Sequence, residues 1–299
     1  MTTRPIFVLF GSSIVQYSYY EGWGATLSHL YARKADIILR GYASWNSRRA
    51  LQNVDKIFPK NAIEQPSLVI VYFGGNDCIP PHPSGLGPHV PLGEYIENMR
   101  KIAIYIMNAI EQPSLVIVYF GGNDCIPPHP SGLGPHVPLG EYIENMRKIA
   151  IYIMSLSHKT RIIFLSNPPI NEELIKRQSD KFGLPPRTNE VIRIYSEACL
   201  DLCREMKIKA IDMWSAIQKK DDWKNVCLMD GIHLSTEGSE ILRKEILKVL
   251  KEAEWEPSLY WKSMAVDFGE DSPYDIVSPD GKGTINYSDL PFPQGVEWD

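Results

Sequence analysis

No stretch of this 299-residue chain approaches the ~18 unbroken apolar residues of a membrane-spanning helix. Positive charge is not in excess, since 31 Lys and Arg face 36 Asp and Glu for a net charge of −5. That leaves no electrostatic footprint for nucleic acid or an anionic membrane. Cysteine is sparse and odd in number, at five, and Cys78 and Cys125 are one position met twice. A disulfide framework is therefore not expected, and reduced thiols fit better. Cys199 and Cys203 stand at i,i+4 on an expected helix and read as core thiols rather than half a metal site. The opening "MTTRPIFVLFGSS" has a short apolar run that reads as a strand and lacks a small-residue cleavage site, so a cytoplasmic protein is expected. The chain also lacks the G-x-S-x-G nucleophile elbow and the G-x-G-x-x-G dinucleotide loop.

What the chain does have is one long internal identity. Residues 61–107 recur without a mismatch as 108–154. Each copy holds an apolar run, "SLVIVYF", then "GGND", a proline-rich loop and an amphipathic helical pattern. Two copies are too few for a solenoid.

Short apolar, β-branched runs alternate with helical patterns along the chain. Strands are expected at 6–10, 35–40, 67–73, 114–120, 161–166 and 209–214. Helices are expected near 24–34, 47–58, 91–107, 138–154, 188–206 and 236–252. Leu139, Tyr142, Ile143, Met146, Ile149, Ala150 and Ile153 form one apolar stripe at helical spacing. Such alternation argues a doubly wound α/β fold with a parallel sheet. A single domain is expected over 1–255. Residues 256–299 read as an irregular tail pinned by Trp261, Phe268, Tyr274 and Trp298.

Ligands of such sheets collect beyond the carboxyl ends of the strands. The loops there are "GSSIVQ", "GYASWNSRR", "GGND" (twice) and "CLMDGIHLSTEG". They carry Ser12, Ser13, Ser44, Asn76 or Asn123, Asp230 and His233 to one rim. Of seven histidines, His233 follows a carboxylate at a spacing, Asp230-x-x-His233, that lets the two touch within a turn. A nucleophile needs a base and the base an orienting partner, and Ser13, His233 and Asp230 meet that need. Each piece alone has a plainer reading. Asp-x-x-His before a helix is a common helix entry, "GSS" also suits a phosphate-cradling turn or a cap, and "GGND" is a turn signal. The histidines of "HPSGLGPH" are too loosely spaced to argue a metal.

The four loops in this order resemble the four blocks of the GDSL, or SGNH, esterase/lipase family. The chain is most similar to its plant branch, related to isoamyl-acetate-hydrolysing esterase. The resemblance implies a three-layer α/β/α flavodoxin-like sandwich with a five-stranded parallel sheet, no cofactor, no metal and a small-molecule ester as substrate. It implies Ser13 as nucleophile, His233 as base and Asp230 as its partner. The oxyanion would be met by the N–H groups of Ser13 and Ser44 and by the side chain of Asn76, or of Asn123 if the second copy is used. It further implies a preference for short acyl groups, acetyl first. An acyltransferase on the same triad and a catalytically impaired binding protein stay open as alternatives, and so does the oligomeric state. Two departures stand out: Ser12 replaces the family's Asp, and Ser44 replaces the glycine of the second block. One asparagine suffices for the oxyanion. We therefore expect one copy of the repeat in the sheet, 67–73 with Asn76, and the other extruded below it.

Overall fold

The computed structural model describes residues 4–20, 22–62, 65–77, 84, 87–109, 115–122, 124–128, 136–156, 160–182, 187–270 and 272–286. Six parallel strands form one sheet: β1 (Ile6–Gly11), β2 (Asp36–Gly41), β3 (Pro66–Tyr72), β4 (Leu115–Tyr119), β5 (Arg161–Leu165) and β6 (Lys209–Ile211), in the order β2-β1-β3-β4-β5-β6. Both copies of the repeated strand are therefore in the sheet, side by side. The expected five strands and the expected extruded copy are corrected.

The reason lies in the strand edges. β3 pairs with β1 on one side, and β4 pairs with β5 on the other. A copied strand presents the same two edges as its original, so the outer partners of the pair are undisturbed. The single new seam sets like on like, Leu68 on Leu115, Val69 on Val116, Ile70 on Ile117 and Val71 on Val118. Each copy also brings its own crossover helix, Leu92–Ala109 and Leu139–Leu156, so the right-handed connection is repeated. Extrusion would have left an apolar strand with unpaired backbone groups, which insertion avoids.

Alternation along the strands divides the core by face. One face carries Phe7, Leu9, Leu68, Ile70, Leu115, Ile117, Ile163 and Leu165. It packs against the helices Trp23–Leu30 and Thr236–Glu252. The other face carries Val8, Phe10 and Val69 under Met99, Ile102 and Ile106 of the first crossover helix. Further along that face, Val118, Ile162 and Phe164 lie under the second crossover helix and the helix Asn189–Met206. The expected stripe of the second crossover helix is in place, with Tyr142, Met146, Ala150 and Ile153 buried. Cys199 and Cys203 are buried in the same core.

Three local expectations are corrected. The run 209–214 is a strand only to Ile211, because Asp212 accepts from Ser215 N at 3.0 Å and starts the helix Met213–Gln218. The expected helix 47–58 is two short helices, Ser47–Leu51 and Val54–Ile57. A helix at Glu172–Phe182 was not expected. After Glu252 the chain is mostly irregular, interrupted by the helical turn Trp261–Ser263 and by two short antiparallel strands, Ile276–Val277 and Thr284–Ile285. Leu259, Tyr260 and Trp261 are buried, and Tyr31 Oη and Lys34 Nζ donate to the Leu259 and Trp261 carbonyls at 2.6 and 2.8 Å. Trp261 is thus an anchor. Phe268 and Tyr274 are not, at 78% and 95% exposure, because the attachment there runs through backbone carbonyls such as Asp267 O, which accepts from Arg33. Trp298 lies outside the described residues.

Candidate active site

The Ser12–Ser13 loop begins where β1 ends. At Gly11 a Cβ would stand 2.4 Å from Val15 Cγ2 and 2.5 Å from Tyr72 O, so a side chain there would block the turn. Ser12 N donates to Tyr72 O at 3.1 Å, and Ser12 is buried. Ser13 opens the helical turn Ser13–Gln16 and is half-buried at the rim. Burial thus separates the two serines and leaves Ser13 accessible.

The second loop locks onto the first. Tyr42 N donates to Gly11 O at 2.8 Å, and Ala43 N to Gln16 Oε1 at 2.7 Å. Ser44 has φ +64°, in the left-handed region that favours glycine. Its side chain is exposed, and Oγ donates back to Ala43 O at 2.5 Å. Asn46 Oδ1 caps the next helix by accepting from Arg49 N at 2.8 Å.

The first copy of "GGND" closes onto this second loop. Gly74 has φ +125°. Asn76 Nδ2 donates to Trp45 O at 2.7 Å, one residue past Ser44. Asp77 Oδ1 accepts from Ser47 N at 2.7 Å. Burial raises the Asp77 carboxyl above its ordinary range, against the pull of the Ser47 hydroxyl and N–H. An amide nitrogen has two hydrogens, so Asn76 keeps one for a ligand.

The second copy faces elsewhere. Asn123 lies outside the described residues. Gly121 has φ +109°, and a Cβ there would stand 2.6 Å from Asn167 Nδ2, in the loop after β5. Asp124 turns inward and accepts from Gly121 N at 3.0 Å. Burial pushes its carboxyl up to about 6.

The Asp230–His233 loop follows β6 and two short helices. Asp230 Oδ2 meets His233 Nδ1 at 2.6 Å, while Oδ1 accepts from Ile232 N and His233 N at 3.0 and 2.9 Å. Partial burial opposes ionisation of Asp230. The hydrogen bonds from the His233 ring and the two N–H groups outweigh it and hold the carboxyl well below the usual range. With Nδ1 engaged, Nε2 is the ring nitrogen left to take a proton. Gly231, at φ +97°, supplies the turn between the pair.

Among the described residues, no hydrogen bond joins Ser13 to His233. β1 and β6, which precede the two groups, are four strand spacings apart, about 19 Å. Between the two sides lies a cavity of about 80 Å³. Ile14 lines it beside Ser13, and Ile232 and Leu234 line it on either side of His233.

Sequence reasoning missed three parts of this rim. Tyr72 and Tyr119, the same position in the two copies, stack with centroids 5.0 Å apart and planes at 8°. Burial raises both phenols, which stay protonated. Asn167 and Arg187 line the cavity from the loops after β5 and before the helix Asn189–Met206. The repeat itself was the available signal for the tyrosines. For Asn167 and Arg187, sequence offers only their place near strand ends.

A family model described as GDSL-like Lipase/Acylhydrolase matches the chain twice, over residues 7–110 and 104–246. Each match contains one copy of "GGND"; the first also holds Ser13 and Ser44, the second Asp230 and His233. The chain is 53% identical over 298 residues to the GDSL esterase/lipase WDL1 of Oryza sativa subsp. japonica, covering 99% of this chain and 96% of that one. It is 50% identical over 298 residues to the GDSL esterase/lipase CPRD49 of Arabidopsis thaliana, covering 99% and 98%. The isoamyl acetate-hydrolyzing esterase 1 homolog of Bos taurus is 28% identical over 267 residues, covering 87% and 88%. With the blocks in order and these relatives matched along nearly their whole length, the chain belongs to the plant branch of the GDSL esterase/lipase family, whose members are carboxylic ester hydrolases.

Proposed function

We propose that this chain cleaves short-acyl esters, acetyl esters first, through Ser13, His233 and Asp230. The observation that carries the reading is the Asp230–His233 pair, with one carboxylate oxygen on the ring at 2.6 Å and the other on two backbone N–H groups. That arrangement fixes the imidazole with Nε2 outward and stabilises the imidazolium. His233 Nε2 takes the Ser13 proton as Oγ attacks the ester carbonyl. The oxyanion is met by the N–H groups of Ser13 and Ser44 and by the second amide hydrogen of Asn76. His233 then protonates the departing alcohol. Water, activated by the same nitrogen, releases the acid from the acyl-serine and restores Ser13. The acetyl preference draws on the likeness to the isoamyl acetate-hydrolyzing esterase homologues.

A second reading is an enzyme of this kind working well below its capacity. Two observations favour it: Ser44 at φ +64°, where the family has glycine, and the extra strand between nucleophile and base. Hydrogen bonds of catalytic groups tighten on substrate binding, so the gap lowers the rate without excluding catalysis.

The test is acetate release from p-nitrophenyl acetate, with fluorophosphonate labelling of the same protein. Ser13→Ala should abolish both, and Ser12→Ala should keep most of each. Loss of both with Ser12→Ala and retention with Ser13→Ala would refute the assignment.

A further inference from the structure

The ester-cleaving chemistry uses the mouth of the cavity and leaves its interior unexplained. The interior lies under the new seam. Ile70, Ile117 and Leu165 of β3, β4 and β5 form its floor, and Trp23, Leu242 and Ile246 of the covering helices form its roof. Protein interiors rarely leave such space between apolar groups.

Four polar side chains line this space, those of Tyr72, Tyr119, Asn167 and Arg187, and of these Asn167 is the one with buried polar atoms left unsatisfied. Asn167 is 1% exposed, yet neither Nδ2 nor Oδ1 has a hydrogen-bond partner among the described residues. A buried amide left unpaired is costly, and native structures hold few of them. Asn167 follows β5, whereas Ser13 follows β1. Three strand spacings, about 14 Å, separate those strands. The cavity wall covers that span, from Ile14 past Tyr72, Tyr119 and Gly122 to Asn167. A Cβ on Gly122 would stand 2.8 Å from the Tyr119 hydroxyl, so glycine keeps the wall open there.

We propose that this cavity is the subsite for the alcohol half of the substrate: an apolar alkyl chain with a hydroxyl at its far end, which Asn167 binds. The assignment rests on the reading of the centre as a short-acyl esterase. The acetyl group then sits at Ser13, and the chain running along the strand ends belongs to the alcohol. A hydroxyl can accept from Nδ2–H or donate to Oδ1, so it suits an amide with both atoms unpaired.

The probes are octane-1,8-diol monoacetate and octyl acetate, titrated calorimetrically into the Ser13→Ala variant of the full chain. The diol ester should bind at least ~10-fold more tightly, the range of a satisfied against an unsatisfied buried polar group. Adding Asn167→Leu should erase that difference. Adding Ile117→Phe, which fills the floor, should weaken both esters, so the assignment stays testable if the Asn167 variant misfolds. Equal binding of the two esters when Asn167 is present would overturn the proposal, as would tighter binding of ethyl 8-hydroxyoctanoate, which carries the chain on the acyl side. Asn167-dependent binding by a chain whose wild type releases no acetate would overturn the esterase reading and uphold the subsite.

Discussion

Two identical stretches of 47 residues sit side by side in this molecule and are not used alike. Their internal structure is shared. Tyr95 Oη donates to Phe73 O at 3.2 Å, and Tyr142 Oη donates to Phe120 O at 3.3 Å. Val90 N reaches Asp77 O at 2.8 Å, and Val137 N reaches Asp124 O at 3.0 Å. Their outward contacts differ. The first copy gives Asn76 to Trp45 O and Asp77 to Ser47 N, on the Ser13 side. The second copy sets Gly121 against Asn167, on the β5 side, and folds Asp124 back on its own loop. The contacts towards β1 and towards β5 are thus divided between the two loops. Local sequence therefore sets the shape of the unit, and the neighbouring strand sets what it does.

The largest effect should come from undoing the division. Deleting residues 108–154 removes β4 with its loop and crossover helix, and returns the sheet to five strands. The His233 loop then moves one strand spacing, about 4.8 Å, towards Ser13. General-base catalysis is worth 10²- to 10⁴-fold. We expect kcat/KM for p-nitrophenyl acetate to rise about 1,000-fold in the shortened chain. An unchanged rate would show that the inserted strand does not separate the two groups.

Next in size is the contrast between the asparagines. The first copy neighbours the nucleophile loop, so Asn76→Ala should lower kcat/KM about 100-fold, as for the loss of one oxyanion donor. Asn123→Ala should change it less than about twofold. Equal losses from the two variants would mean that the copies share the task.

The legible part of the fold is what one segment can encode alone. "LVIVY" is apolar and β-branched, so both copies were visible as strands. The stripe from Leu139 to Ile153 gave the second crossover helix, and Asp230-x-x-His233 gave the hydrogen-bonded Asp–His pair. The pairing of β3 with β4 was not legible, because it depends on edges that are identical in both copies and so mark no preferred partner. The helix Glu172–Phe182 was missed because "EELIKRQSDKF" has few apolar residues, Leu174, Ile175 and Phe182, so a polar composition hides its helical pattern. Asn167 and Arg187 acquire meaning from a cavity that the extra strand helps to form. Phe268 and Tyr274 misled because aromatic residues were read as anchors where backbone carbonyls hold the tail.

A smaller effect separates the two aspartates by pH. Burial raises the Asp124 carboxyl to about 6 in the fold, against about 3.9 in the unfolded chain. The folded state therefore favours the protonated form. Its stability falls as pH climbs from about 4 through about 6, then levels off. That gap corresponds to at most about 3 kcal/mol at neutral pH. Asp124→Asn removes the titration and keeps an acceptor for Gly121 N, so we expect about 2 kcal/mol of added stability at pH 8 and little at pH 4. Asp77→Asn should gain less, because Asp77 holds Ser47 N and stands near Arg48. Urea melts of both variants at pH 4 and pH 8 test this. A larger alkaline gain for Asp77→Asn would reverse the assignment of the two environments.

The smallest effect is expected at Ser44, which touches the first copy's side of the site alone. Its φ of +64° places a β-carbon where L-residues pay roughly 1 kcal/mol or more. Ser44→Gly relieves that strain but adds backbone freedom to the unfolded chain, which offsets part of the gain. The net stabilisation should be about 0.5 kcal/mol. The hydroxyl is tied to Ala43 O at 2.5 Å, so the strain sits beside the N–H assigned to the oxyanion. Relaxing it should raise kcat/KM by roughly threefold, less than the loss of a whole donor. Ser44→Ala separates the two causes, since it keeps the β-carbon and loses the hydroxyl. If Ala matches Gly in rate, the hydroxyl is the obstruction; if Ala matches Ser, the backbone strain is. Because β4 does not reach this loop, the ratio of Gly to Ser rates should be the same in the chain shortened by residues 108–154. A ratio that changes with the deletion would mean that the second copy acts on the nucleophile side after all.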